Sequence, residues 1–379
     1  MCRRYRARVG TLLVTILFLV RPAPTAAQID ESLRTAASKI VEMQAGDGGG
    51  EWPYEGVYRV GGNIPVAYRV GGTAIVGEAL LRLPELESDA IRQQAIRRAT
   101  AFVCGAIDEP LLQVDTYKGG YDVRAWGACY GARFLLALQR AKAVPDGLLP
   151  EVRAATEWYL AALQKFEIPE VGGWNYARDA GAETPCAASA FMTPACLQTM
   201  FEARSLGYTV DATVVERALA ALERCRTDDG NFAYAAQQQA RRQTRMIPGA
   251  VGRMVSGELA LFLAGRSDKA RVQAAVEAFV RHWGDLEVRR AKGGTHLPPY
   301  GVAPYYFWFA HYHAAQAVEV LPEPRRSELR AQLNWLLWQT REDDGTWNDR
   351  VFRRSAAYGS AMAMMSALMP TSAPPSGWK

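Results

Sequence analysis

Few side chains in this sequence stand in patterns that could do chemistry. Two carboxylate pairs, Asp228-Asp229 and Asp343-Asp344, and the nearby Asp349 are candidate acids or bases. They also stand where helix ends need caps, and capping is the plainer reading of Asp343, Asp344 and Asp349. His311 and His313 are two apart on a helical stretch, about 200° around its axis, so they cannot chelate one metal ion together. Five cysteines follow residue 27: Cys104, Cys129, Cys186, Cys196 and Cys225, none in a C-x-x-C pair. Cys186 and Cys196 could bridge in an oxidising compartment; small core residues on helices are the simpler expectation. No HExxH, G-x-S-x-G or phosphate-loop pattern occurs, so the expectation is no metal and no cofactor.

What remains is a collection of aromatic, basic and acidic residues. It comprises Tyr54, Tyr58, Arg59, Tyr68 and Arg69, then Asp122, Arg124 and Trp126, then Trp174, Tyr176 and Arg178. Tyr300, Tyr305, Tyr306 and Trp308 follow, and Asp349, Arg350 and Arg353 close the set. Aromatic faces bind apolar chains or sugar rings, and arginines clamp a phosphate or carboxylate. Each group lies on the approach to an apolar stretch, so one architecture could bring all of them together.

That architecture begins after a leader. MCRRYRARVG is basic, TLLVTILFLV is apolar and PAPTAAQ is small and turn-prone, the order of a secretory signal. Cleavage after Ala27 is expected, giving a secreted or periplasmic protein with no integral membrane segment. The whole chain has 44 basic and 39 acidic residues, and the leader holds five arginines and no acid. The remainder is therefore formally neutral. That excludes a polyanion-binding protein with a basic face, and nucleic acid with it.

Downstream, two kinds of helical segment alternate. One is amphipathic, as in VQAAVEAFVRHW, where Val272, Val276, Phe279, Val280 and Trp283 share a face. Such helices are expected near 31–44, 88–106, 148–166, 211–226, 268–284 and 325–341. The other kind is apolar all round, as in SAAYGSAMAMMSALM, with helices expected near 72–86, 124–140, 190–206, 249–265, 304–320 and 355–369. Helices apolar on every side must be buried. Six amphipathic and six buried helices in strict alternation predict an all-α (α/α)6 toroid, an inner barrel wrapped by an outer one, rather than an open superhelix. It spans 28–369 as one domain, with 370–379 expected to be a loosely ordered tail.

A phrase recurs where an amphipathic helix hands over to a buried one. It reads Gln44, Gly50, Trp52 near the start and Gln339, Gly345, Trp347 near the end. Gln164 to Trp174 is a longer copy, and a fourth puts Arg224 and Phe232 in those places. The glycine permits a positive φ, the Gln amide can reach loose backbone groups and the Trp covers apolar surface. These residues read as structural corner braces.

Gln–x5–Gly–x–Trp resembles the QW repeat of squalene cyclases and protein prenyltransferase β-subunits, in the terpenoid cyclase superfamily. Those proteins are α/α toroids, and the resemblance covers essentially the whole chain after the leader. It implies an isoprenoid-like hydrophobic ligand in a central cavity. The chain departs from the family's chemistry: it has no D-x-D-D acid and no D-D-x-x-D. At the places of the prenyltransferase zinc ligands stand GVAPYYFWF and RRSAAYGS, without Asp, Cys or His. Three functions remain open: binding or processing an isoprenoid-like ligand, a glycan-active enzyme like the polysaccharide lyases, and a non-catalytic interaction module. The resemblance favours the first. Catalytic residues are unassigned, and the candidates to line the ligand are Trp174, Tyr176, Tyr300, Tyr305, Trp308, Tyr312, Asp349 and Arg350. On the helix after Pro304, residues 305, 308 and 312 share one side and are expected to face the ring's centre, with Phe307 packing between helices.

Overall fold

The computed structural model describes residues 24–117, 119–178, 186–235 and 246–378. Of the expected leader, residues 1–23 lie outside the described residues. Apart from five isolated two-residue bridges, the regular structure among the described residues is helical.

The inner helices are α2 (Val66–Arg82), α4 (Arg124–Arg140), α6 (Thr193–Ser205), α8 (Ile247–Leu263), α11 (Tyr306–Glu319) and α13 (Ala356–Ala367). Each packs on the next in that order and α13 returns to α2, so the barrel closes. The outer helices are α1 (Ala26–Glu42), α3 (Ala90–Gly105), α5 (Leu149–Lys165), α7 (Ala212–Glu223), α9 (Lys269–Arg281) and α12 (Arg325–Gln339), with a short α10 (Trp283–Glu287) after α9. Each outer helix lies against the inner one before it, and α1 lies against α13 to complete the sixth hairpin. The protein is an (α/α)6 toroid.

Helix starts follow side-chain chemistry. Asp89, Asp211 and Asp268 accept backbone N–H bonds at the starts of α3, α7 and α9, and Thr25 forms a reciprocal cap with Gln28 at α1. None of the six inner helices is capped by the side chain of its N-cap residue, although Asp122 Oδ1 takes the first N–H of α4, that of Arg124, at 2.9 Å. The six inner helices start at the same end of the barrel, so the positive ends of their dipoles gather there.

The corner braces are one device used three times. The indole Nε1 of Trp52, Trp174 and Trp347 donates to Ile40 O, Leu163 O and Leu337 O, at 2.7, 2.8 and 3.0 Å. Each carbonyl lies two residues before the end of an outer helix, where the regular helical donor is lost; Ile40 O and Leu337 O also accept from Met43 N–H and from Thr340. The backbone N–H of the same tryptophans donates to the hydroxyls of Thr73, Thr193 and Ser360 on the inner helices. Phe232, the fourth copy, is equally buried but has no ring donor. The Gln side chains act sideways: Gln44 Nε2 reaches Ala95 O on α3, and Gln164 Oε1 takes the N–H of Asp211 before α7. They tie neighbouring outer helices together rather than filling the handover. Gly345 has φ +89°, as the phrase predicts. Gly50 serves instead for close approach, since a Cβ there would lie 2.9 Å from Arg98 O.

Candidate functional site

The loops entering the inner helices converge on one mouth, and aromatic rings fill it. Tyr68, Trp126 and Tyr358 occupy the third positions of α2, α4 and α13. All three meet Tyr54, with ring centroids 5.4, 5.0 and 4.8 Å away. A chain of phenols then crosses the mouth. Tyr68 OH lies 2.8 Å from Tyr176 OH, Tyr176 stacks on Tyr305 at 5.6 Å, and Tyr305 OH lies 2.9 Å from His296 Nε2. Phe191 packs edge-on against Tyr176, Tyr305 and Tyr306. Burial raises the pKa of Tyr68, Tyr176, Tyr305 and Tyr358, so these phenols stay protonated at neutral pH. At the outer rim Tyr58 packs against Tyr121, the rings tilted by 43° with centroids 4.7 Å apart, and Tyr121 is half exposed.

Charged groups lie beneath and beside these rings. Asp349 is fully buried, and neither carboxylate oxygen has a hydrogen-bond partner. Burial pushes its pKa up to about 7 against the opposing charges of Arg350 and Arg290. Arg350 extends Nη1 to within 3.4 Å of Tyr54 OH. On another side Asp122 holds Arg124 through two bonds of 2.9 and 2.8 Å, and the Asp122–Arg178 backbone bridge ties the 174–178 corner to the start of α4. Arg178 is also buried; its Nε pairs with Asp122 Oδ2 at 3.9 Å, while its Nη1 and Nη2 make no hydrogen bond. The two Nη donors of Arg178 left over from its pair with Asp122, and the buried carboxyl of Asp349, are groups that a polar ligand could use.

The eight lining candidates separate by depth. Tyr176, Tyr305, Asp349 and Arg350 meet at the mouth, and Tyr300 is half-buried in the loop ahead of α11. Trp174 stands at a corner as a brace. Trp308 is fully buried against Phe307 and His311. Tyr312 lies deep in the barrel, its ring 4.8 Å from the Arg133 guanidinium. Phe307 packs outward on Trp283 as expected. His311 accepts the indole N–H of Trp283 at 2.7 Å, and burial lowers its pKa to about 3, as it does for His313. Phe191, His296 and Tyr358 were not candidates. The repeated aromatic at the third position of an inner helix is the sequence signal that finds Tyr358. Among the described residues no cluster of three or more His, Cys, Asp or Glu could hold a metal ion, and no helix is long and apolar enough to cross a membrane.

The central cavity expected for an isoprenoid does not suit one. Arg133 of α4 meets Tyr312 of α11 across the barrel and is paired with buried Glu78 of α2 at 2.8 Å. An apolar chain threaded there would strand this ion pair without water.

No protein-family model matches the chain, and no curated protein matches it. Solved structures do. An unsaturated glucuronyl hydrolase from Streptococcus agalactiae is similar over 98% of this chain and 98% of its own, with TM-score 0.59 and 12% identity. A β-1,3-1,4-glucanase from Paenibacillus sp. X4 is similar over 91% and 95%, with TM-score 0.51 and 11% identity. A family 105 glycoside hydrolase from C. acetobutylicum is similar over 90% and 98%, with TM-score 0.50 and 10% identity. At such identities the likeness is one of fold. It corrects the resemblance drawn from the QW phrase: the three toroids just named are a glucuronyl hydrolase, a glucanase and a glycoside hydrolase, not squalene cyclases or prenyltransferases. The phrase misleads because its tryptophans brace corners, a task independent of what the barrel binds. The terpenoid cyclase assignment falls, and the isoprenoid-like ligand falls with it.

Proposed function

We propose that this chain is a glycan-active enzyme that cleaves an acidic saccharide at the mouth of the inner barrel, with Asp349 as proton donor. The observation that carries the reading is the buried, unpartnered carboxyl of Asp349 with its pKa near 7. A carboxyl that keeps its proton near neutrality is what protonation of a glycosidic oxygen needs. The Tyr58–Tyr121 pair at the rim offers a stacking platform for a sugar face. The free Nη groups of Arg178 and the gathered positive ends of the inner-helix dipoles favour a carboxylate, and so a uronate, over a neutral sugar. Burial keeps the mouth tyrosines protonated, which disfavours the tyrosine base of a lyase and favours hydrolysis. The sugar-acting names of the structural neighbours support saccharides as the substrate class. Asp349 is fully buried, and the rings of Tyr54 and Tyr358 are buried nearby, so substrate access requires rearrangement at the mouth. The leader suits a secreted or periplasmic site of action.

The test is incubation of the purified protein with oligouronides and with neutral glucan oligosaccharides, followed by mass spectrometry of the products. The expected result is cleavage of an oligouronide that Asp349→Asn slows by about 10²- to 10⁴-fold, and for which Arg178→Ala raises KM. Failure to cleave any saccharide, or full activity in folded Asp349→Asn, overturns the proposal.

A further inference from the structure

At the opposite end of the barrel, where the inner helices finish, lies a cavity of about 320 Å³. That volume accepts a molecule the size of a monosaccharide. Its walls come from the last turns of α2, α4, α6 and α11, and residues 371–376 of the C-terminal segment form its roof. The segment is tied down. Ser376 Oγ accepts from Arg140 Nη2 at 2.9 Å, Trp378 N–H donates to Leu263 O at 2.9 Å, and the Trp378 ring packs between Phe201 and Arg204.

The charged groups of this cavity are already matched. Glu78 takes Arg133 at 2.8 Å and Arg82 at 2.5 Å, and Glu202 takes Arg140 at 2.5 Å. The unmatched groups are neutral amides. Gln198 is more than nine-tenths buried, yet its Oε1 and Nε2 have no partner. Gln316 is equally buried, and its Oε1 has none. Both line the cavity. An unpaired buried amide is unfavourable by itself, and two facing one space offer hydrogen bonds that a polar ligand can take.

We propose that this cavity binds a neutral, polyhydroxylated ligand of monosaccharide size. Hydroxyl groups donate and accept at once, so they can satisfy both ends of Gln198 and the Oε1 of Gln316 without unbalancing the three matched arginines. A charged ligand would have to break one of those pairs. The site is separate from the mouth and does not depend on the activity proposed there.

The experiment is titration calorimetry of the full protein with D-glucose, D-galactose, D-mannose and myo-inositol, in wild type and three variants. Gln198→Met and Gln316→Met keep the shape and remove the amides, and Arg178→Ala alters only the mouth. At least one probe is expected to bind saturably to wild type and to Arg178→Ala, with affinity at least tenfold weaker in Gln198→Met. The melting temperature of unliganded Gln198→Met should equal or exceed that of wild type, because the variant buries no idle amide. If Gln198→Met does not fold, Gln316→Met is read in its place. Absence of saturable binding by any probe overturns the proposal. So does binding lost in Arg178→Ala but kept in Gln198→Met, which assigns the sugar to the mouth.

Discussion

The guanidinium of Arg133 on α4 lies 4.8 Å from the ring centroid of Tyr312 on α11, joining helices on opposite sides of the inner barrel. Glu78 completes the group from α2, and its carboxyl lies below its ordinary pKa: burial alone would raise it, but Arg133 and Arg82 outweigh that. The Tyr312 hydroxyl has no hydrogen-bond partner, so the ring rather than the hydroxyl holds the contact. Tyr312→Phe should leave stability within about 1 kcal/mol of wild type, since it removes only an idle buried hydroxyl. Tyr312→Ala should cost about 3–5 kcal/mol through the cavity it leaves. Urea unfolding measures both, and a large loss in the Phe variant would contradict the reading.

The braces make a second prediction. Trp52→Ala, Trp174→Ala and Trp347→Ala should each lower stability by about 3–5 kcal/mol, since each ring is almost fully buried. Trp347→Phe keeps most of the volume and removes one of three donors to Leu337 O, which keeps the Thr340 hydroxyl and N–H, so it should cost only about 0.5–1.5 kcal/mol. Thermal melts and urea curves for the six proteins, with Phe232→Leu as the comparison that removes no donor, check the set. A Trp174→Ala protein as stable as wild type would remove it from the braces.

The alternation of amphipathic and all-apolar segments was enough to read the toroid, because burial on every side leaves a helix few places to go. The largest boundary misses are the starts of α1 and α2, at residues 26 and 66. Thr25 caps the first, and Pro65 opens the second ahead of its apolar run. Asp349 and Arg350 were legible as mouth residues because they follow a brace. The depth of Tyr312 and Trp308 was not, since one shared helix side spans the mouth, the middle and the far end of a barrel. Nor was the far cavity, although Glu78, Arg133, Gln198 and Gln316 are polar residues in otherwise apolar helices. That is a signal, but only the closed ring reveals that they face one another.

Acid sensitivity follows from the two buried histidines. Burial, with Arg290 near one and Arg133 near the other, lowers His311 and His313 to about 3. Between that value and the ordinary 6.5 the unfolded chain binds more protons than the folded one, so stability falls as pH falls through this window. The loss is up to about 5 kcal/mol for each. His313 has no hydrogen-bond partner on either nitrogen, so His313→Leu should flatten part of this acid limb and gain about 1 kcal/mol at pH 7.5. His311→Leu should flatten it too but lose stability at pH 7.5, because it strands the Trp283 indole N–H. Urea unfolding at pH 5 and 7.5 separates the two.

Asp349 produces the opposite slope. Its pKa is raised from 3.8 to about 7, so between those values the folded chain holds a proton that the unfolded chain has released. Its contribution therefore weakens folding as pH rises through that window, by as much as about 4 kcal/mol above pH 7. The histidines oppose this below pH 6.5, so the whole-protein profile hides it. The difference between wild type and Asp349→Asn isolates it: the Asn variant should gain on wild type steadily from pH 4 to 7 and keep the gain above. Activity should follow the same carboxyl from its other side. A proton donor works only while protonated, so cleavage of an oligouronide should decline as pH rises through about 7. If the stability difference is flat across pH 4 to 7, Asp349 titrates normally and cannot be the acid.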